Sequence, residues 1–396
     1  MAHRGARVTR SPEVVIIGAG VVGAAAAFYC SAAGLDVTVV ERGPIGGGTT
    51  ASCEGNILLS DKEPGPELDL ALLSSRLWSE LAQEIGAHRL EYERKGGVVV
   101  AAHESTAAAL RVFAAHQRAA GIESVDLDAS DLLELEPHLS RACAGGAFYP
   151  QDSQIQPMLA TAQLMRHVRN RGVRVVTDTS VTGFLRGPGG ALAGVLTDSP
   201  TEPRISAAWV INAAGTWAGR IAELAGAPIP VLPRRGFILV TEPMPKVVHH
   251  KVYTAEYVAN VASSDAGLET SVVVEGTKAG SILIGASRER VGFDRTMSLP
   301  VIRKLAAQAV EVFPFLADVT LLRTYLGFRP YCPDHLPVIG ADPRAPGLIQ
   351  ATGHEGAGIG LSAGTGRLIA QVITGAPPDL DLTPFRPHRF EEVTAR

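Results

Sequence analysis

The sequence predicts an α/β protein in two parts, one domain wound on a parallel sheet and a second built on an antiparallel sheet. Three observations carry this expectation. The run from Glu13 to Arg42 sets a short apolar strand, a glycine turn, a small-residue helix and a second strand in immediate succession. From Val231 to Asp294 the character changes to strand-like segments separated by turns. The chain has 396 residues, too many for one small core.

The first element is Glu13-Val14-Val15-Ile16-Ile17, an apolar run that fits a buried parallel strand. Gly18, Gly20 and Gly23 follow in Gly-x-Gly-x-x-Gly spacing, with Val22 inside it. Gly18 permits a tight turn, Gly20 lets backbone approach a pyrophosphate, and Gly23 lets the helix sit close to the sheet. The helix start then offers free N–H groups to phosphate. Gly34 is placed to end that helix. The next strand finishes at Glu41-Arg42, where the carboxylate is placed to accept hydrogen bonds from a ribose. A glycine-rich turn without a ligand is the plainer reading, but strand, helix, strand and acid in that order favour a Rossmann-like dinucleotide site.

The loop after Glu41 holds Gly43, Gly46, Gly47 and Gly48, then Thr49, Thr50 and Ser52, donors suited to phosphate oxygens or a flavin edge. Helices are expected over 67–84, 105–121, 129–135, 157–172 and 300–313, from apolar residues at helical spacing. Strands are expected over 91–102 with a turn at Gly96-Gly97, over 173–177, and over 207–215. The last of these ends in Ala213, Ala214 and Gly215, small enough to lie against a ligand. Further strands are expected over 236–241, 271–275, 281–287 and 318–328. Near the end, five glycines fall between 353 and 364 and run into an amphipathic helix that stops at Gly375. So many glycines weaken a helix start unless a ligand or a neighbouring element comes close.

Composition narrows the classes. Hydrophobic residues make up 46% and charged residues 19%, with a net charge of −4, so neither nucleic acid nor an anionic membrane is expected as partner. The four cysteines (Cys30, Cys53, Cys143, Cys332) show no metal-like spacing, and no metal is expected. A reduced, cytoplasmic setting is the simplest reading, with peripheral membrane attachment if electrons pass to a quinone. Residues 1–12 read as a flexible tail rather than a secretory signal, and no stretch approaches the ~20 apolar residues of a membrane span.

These motifs together resemble the FAD-dependent D-amino acid oxidase superfamily. The resemblance rests on the glycine fingerprint, Glu41-Arg42, Val210 to Ala218, Gly327-Phe328-Arg329-Pro330 and the final glycine-rich helix start, in that order. Within the superfamily the chain is similar to the branch of glycine oxidase, D-amino-acid dehydrogenase, hydroxyproline dehydrogenase, and the catalytic subunits of opine oxidase and cyanide synthase. The resemblance implies a discontinuous FAD-binding domain (13–88, 145–228, 325–396) and a substrate domain (89–144, 229–324).

It further implies oxidation of the C–N bond of a small amino or imino acid, by hydride transfer to flavin N5. Substrates like a D-amino acid, proline or hydroxyproline, and glycine or sarcosine all fit. FAD contacts fall to Gly18, Gly20, Val22, Gly23, Glu41, Arg42, Gly48, Thr49, Thr50, Ser52, Val181, Ala214, Gly215, Trp217, Gly353, Gly356, Gly358, Ile359 and Gly360. Arg329 matches the arginine that grips the substrate carboxylate, a task suited to its planar fork. His354 is assigned a site role inside the flavin loop. Tyr253 and Tyr257 both lie where an active-site tyrosine is expected, and each has a core reading beside it. Glu355 reads as a surface residue, His249-His250 as a solvated pair, and His335 as either turn or channel. Cys53 either faces the flavin or fills space. Cys332 is displaced from the position near Gly327 where a covalent flavin link would form, so FAD is expected to be non-covalent. Two rivals remain open. One is a nicotinamide-dependent dehydrogenase, against which the C-terminal glycines argue. The other is a catalytic subunit that is inactive without partners. A homo- or hetero-oligomer is compatible with all of these.

Overall fold

The computed structural model describes residues 13–261 and 263–391. The expected tail at 1–12 lies outside them.

The first sheet has six strands in the order Val338–Ala341, Leu348–Thr352, Trp209–Asn212, Val14–Ile17, Val37–Val40 and Arg174–Val176. Every neighbouring pair is parallel except Val338–Ala341 with Leu348–Thr352. Val14–Ile17 and Val37–Val40 are buried along their whole length. That is why both read as unbroken apolar runs, as strands covered on both faces do. The helix Val21–Ala32 connects them, and Gly34 beyond its end takes φ +85°, the left-handed conformation glycine tolerates.

The second sheet has eight strands. In order they are Leu321–Tyr331, Leu232–Thr241, Ile282–Arg288, Glu269–Gly276, Lys251–Thr254, Gly97–Ala101, Gly145–Tyr149 and Val125–Asp128. It is antiparallel as expected, save for one parallel pair between Lys251–Thr254 and Gly97–Ala101. That pair joins the early strands to the later ones, a link no local pattern announces. The boundaries expected at 145 and 325 fall on strands of this sheet. A small antiparallel sheet of Val181–Arg186, Leu192–Thr197 and Arg204–Ser206 was not anticipated at all. Its strands are partly exposed and short, with little periodicity to read.

Two helices lock the cofactor side. Pro66–Ile85 opens with proline and the acids Glu67 and Asp69, favourable at a helix N-terminus, and buries Leu70, Leu73, Leu77, Trp78 and Leu81. Gly358–Thr374 is buried along most of its length and ends at Gly375 with φ +71°. It packs tightly on Val21–Ala32: a Cβ on Gly366 would stand 2.6 Å from the backbone of Ala25. Several of the C-terminal glycines therefore serve close packing. The Trp78 indole donates to the Ile359 carbonyl at 2.9 Å, fixing the helix start.

Candidate active site

One cavity of about 650 Å³ runs between the two sheets, within the range of small-molecule sites. Its nucleotide side is made mostly of main chain. Gly18 has φ +104°, and a Cβ there would lie 2.5 Å from the Ala213 carbonyl. No larger residue fits that turn. At Gly20 an added Cβ would meet only the Thr50 hydroxyl, at 3.3 Å, so the backbone is open toward the cavity. The Glu41 carboxylate accepts from the backbone N–H of Ala19 at 2.7 Å and of Gly43 at 3.0 Å. Both bonds hold it against the glycine turn.

Of the residues assigned to FAD, Gly18, Gly20, Val22, Glu41, Arg42, Gly48, Thr49, Thr50, Ser52, Val181, Ala214, Gly215, Trp217, Gly356, Gly358 and Ile359 line this cavity. Gly23, Gly353 and Gly360 do not. A Cβ on Gly23 would stand 2.0 Å from the Gly18 carbonyl, so it serves the contact between helix and turn. Gly353 is a positive-φ turn beside Val338 and Cys332, and Gly360 faces the backbone of Asn56 to Leu58.

These features fit FAD. Neither the helix starting at Val21 nor the one starting at Gly358 is capped by its own N-cap residue, the Thr50 hydroxyl taking only the Val21 N–H at 3.1 Å, and both starts border the cavity. Two such N-termini on one cavity suit a ligand with separated electron-rich groups, such as a pyrophosphate and a flavin ring. The Arg42 guanidinium lies 3.8 Å from the Trp217 ring centroid, which fixes the wall beside Gly48.

The other side is made of side chains. Arg329 sits on Leu321–Tyr331, and its Nη1 donates to the Ser287 carbonyl at 2.8 Å. It lies over Gly236, where a Cβ would come within 2.3 Å of Nη1. Desolvation first, then the like charge of Arg288, pulls its pKa below the ordinary arginine value. An arginine disfavoured in this way gains from an anion. The hydroxyls of Thr49 and Thr216 both donate to the Phe328 carbonyl, at 2.9 and 2.7 Å. The residue before Arg329 is thereby tied to the loop that borders the nucleotide side.

The two tyrosines separate. Tyr257 lines the cavity, and burial pushes its pKa up to about 12. Tyr253 does not line it. Its ring stacks edge-on against Tyr257 at 5.4 Å, and its hydroxyl contacts Ser60 and Asp152 in the core. Both faces of the strand Lys251–Thr254 are buried, and Tyr253 points to the one packed on Ser60 and Asp152.

His354 is on the wall, yet its Nε2 bonds to Thr365 at 2.9 Å. The Thr365 hydroxyl already donates to Leu361, so Nε2–H is the donor. Burial lowers the imidazole pKa to about 3. The ring stays neutral and braces the helix Gly358–Thr374, its single N–H committed to Thr365. Glu355 is not a surface residue: it lines the cavity and pairs with Arg234 at 2.7 Å. The expected solvated histidine pair is also corrected, since buried Glu136 accepts both backbone N–H groups and pairs with the His250 ring. His335 sits in a turn with φ +59°, bonded to Ser264. Cys332 is fully buried and off the cavity, whereas Cys53 borders it. Burial pushes the Cys53 thiol up to about 12, so it is not a thiolate.

Sequence reasoning missed Glu54 and Arg288. Glu54 borders the cavity and is 7% exposed, with no hydrogen-bond partner for Oε1 among the described residues. Arg288 is buried behind Tyr257, its guanidinium 4.9 Å from that ring, with Nε and Nη1 likewise unpartnered. The available signal was a charge set directly beside a glycine or at the end of an apolar strand.

Comparison with known proteins agrees with this geometry. A family model described as FAD dependent oxidoreductase (DAO) matches residues 13–372. The Pseudomonas aeruginosa hydrogen cyanide synthase subunit HcnC is 32% identical, covering 98% of each chain. Glycine oxidase of Geobacillus kaustophilus is 27% identical over 96% of this chain and 97% of its own. The crystal structure of glycine oxidase from that organism superposes with a TM-score of 0.86 at 26% identity, covering 96% of this chain and 99% of the other. The L-proline dehydrogenase structure from P. horikoshii shares the fold, with a TM-score of 0.87 at 23% identity over 97% and 99%.

Proposed function

The chain belongs to the DAO family of FAD-dependent oxidoreductases, and from that premise we propose that it oxidises the C–N bond of a small amino or imino acid whose carboxylate is held by Arg329. When bound, FAD supplies the two-electron chemistry. The protein's part is orientation. Arg329 is braced by Ser287 and faces a cavity wall that also holds Tyr257, so a bidentate carboxylate pair would fix the substrate's α-carbon in one place. Tyr257, with a pKa near 12, stays a neutral hydroxyl donor or acceptor. Ile238 and Gly236 line the cavity beside it. We take an FAD-binding domain over 13–88, 145–228 and 325–396 and a substrate domain over 89–144 and 229–324, with the strands Gly145–Tyr149 and Leu321–Tyr331 lending residues of the first to the second sheet. Non-covalent FAD accords with the buried position of Cys332 and the protonated thiol of Cys53.

The observation that carries the proposal is Arg329, a cavity-facing cation with only a backbone carbonyl as hydrogen-bond partner among the described residues. The test is an anaerobic screen of D-amino acids, proline-like imino acids, glycine and sarcosine against the flavin absorbance of the purified protein. Bleaching by at least one carboxylate-bearing amine, and by none of the matching amines without a carboxylate, is expected. Equal bleaching by both sets contradicts the proposal. Acid precipitation should release the flavin into the supernatant.

A second reading concerns assembly. A relative at 32% identity is named as a subunit, which favours this chain working within a larger dehydrogenase. Turnover by the isolated chain with an artificial dye at the rate of its flavin reduction would dismiss that reading.

A further inference from the structure

The geometry points to Glu54 as the group that binds the substrate's protonated amine and takes its proton before oxidation. This rests on the amino-acid reading above and extends it, because Arg329 accounts for the carboxylate and nothing so far accounts for the amine.

The placement comes first. Glu54 follows the Thr49–Ser52 turn on the cavity wall and is 7% exposed. Its carboxyl lies over Gly285, where a Cβ would come within 2.5 Å of Oε1 and 2.9 Å of Ile238. Oε2 has only a long contact of 3.5 Å with Asn56, and Oε1 has no hydrogen-bond partner among the described residues. Buried carboxylates are ordinarily hydrogen-bonded or paired. A carboxyl left open on a cavity that also presents Arg329 fits a ligand with both a carboxylate and a cationic nitrogen.

The neighbours explain why Glu54 is left free. Lys251 is already paired with Glu275. Glu275 also accepts from the Gly55 N–H. Lys251 first, then Arg329 and Arg288, favour the ionised form of Glu54, while Glu275 opposes it. Cys53, Tyr257 and Tyr325 also feel its charge, and burial raises all three above their ordinary values, so they are neutral near pH 7. Desolvation dominates and raises Glu54 to about 7. Its affinity for a proton is therefore balanced near neutrality, as a general base requires.

The step is a proton transfer with no electrons moved. The ammonium N–H bond breaks, a Glu54 O–H bond forms, and the nitrogen keeps the pair that must be free before its neighbouring C–H is oxidised. The Glu54 proton returns to water when product leaves.

The test uses the full-length, FAD-loaded protein and the Glu54→Gln change, which keeps the shape of the side chain. Anaerobic flavin reduction by the best amino acid is followed across pH, with acetate binding followed by flavin absorbance as an amine-free control. In the wild type, reduction efficiency should rise as pH passes about 7. In Glu54→Gln it should fall roughly tenfold to a hundredfold at neutral pH, the scale of one charge-assisted hydrogen bond. It should then recover only in proportion to the free amine in solution. Acetate should bind no more weakly. Glu54→Asp, which keeps a carboxylate, should keep the wild-type pH limb at a lower rate. The proposal is overturned if Glu54→Gln reduces within a few-fold of wild type with the same profile, or if Asp and Gln variants share one profile. In either case an Arg329→Ala defect would leave the amino-acid reading standing; loss of that defect would remove both.

Discussion

The two sides of the cavity are built by different means. On the nucleotide side, the phosphate turn is set within one window from Gly18 to Glu41, largely through backbone: Gly18, Gly20, the Glu41 carboxylate held by two N–H groups, and a helix start with no cap from its own N-cap residue. On the substrate side the wall is assembled from Glu54, Ile238, Tyr257 and Arg329, distant in sequence and working through side chains. A backbone site tolerates little variation in the residues that form it. A side-chain site can be retuned one residue at a time without disturbing the fold. The common cofactor and the varied substrates of such a family follow from this contrast.

The contrast is sharpest at Arg329. Removing one partner of a buried ion pair costs ~3–5 kcal/mol, so Arg329→Ala should lower catalytic efficiency by roughly two to four orders of magnitude. Steady-state kinetics on the best amino acid measures this, and the flavin spectrum should stay normal. Next in size, Glu41→Ala should weaken FAD binding by roughly tenfold to a hundredfold, the scale of charge-assisted hydrogen bonds. Turnover at saturating FAD should remain near wild type, as read by titrating apoprotein with FAD.

The sequence made the nucleotide side legible because its determinants are local. The strand, the turn, the helix over Val21–Ala32 and the terminal Glu41 sit in one window, and their spacing alone fixes their relation. Arg329 was legible through its flanking motif. Glu54 was not, because its meaning lies in the missing partner at Oε1, a fact of three-dimensional packing. Tyr253 and Tyr257 could not be separated for the same reason. The first lies in the strand Lys251–Thr254 and the second in the helix Ala255–Val261 that follows, and only packing shows which one meets the cavity. The parallel pair between Lys251–Thr254 and Gly97–Ala101 joins segments about 150 residues apart and leaves no local pattern.

Smaller effects sharpen the boundary between site and core. Tyr253→Phe should leave turnover near wild type while lowering stability by ~1–3 kcal/mol, because Ser60 and Asp152 lose a buried partner. A denaturant midpoint and a turnover number on the same sample check this. A pH effect on melting accompanies it. The Glu54 pKa is raised in the folded state from 4.5 to about 7, chiefly by desolvation. The native state then holds the proton more tightly than the unfolded chain, and stability falls as pH rises through that window. Glu54→Gln removes the effect, so its gain in Tm over wild type should be larger at pH 8 than at pH 5.

The central claim is that one cavity holds two separable functions. Measuring both the FAD dissociation constant and the anaerobic rate of flavin reduction in Glu41→Ala and Arg329→Ala tests it directly. The account predicts a crossed result, with Glu41→Ala moving only the dissociation constant and Arg329→Ala moving only the rate of reduction by amino acids. If either variant shifts both quantities by similar factors, the division between a backbone-built nucleotide side and a side-chain-built substrate side is wrong.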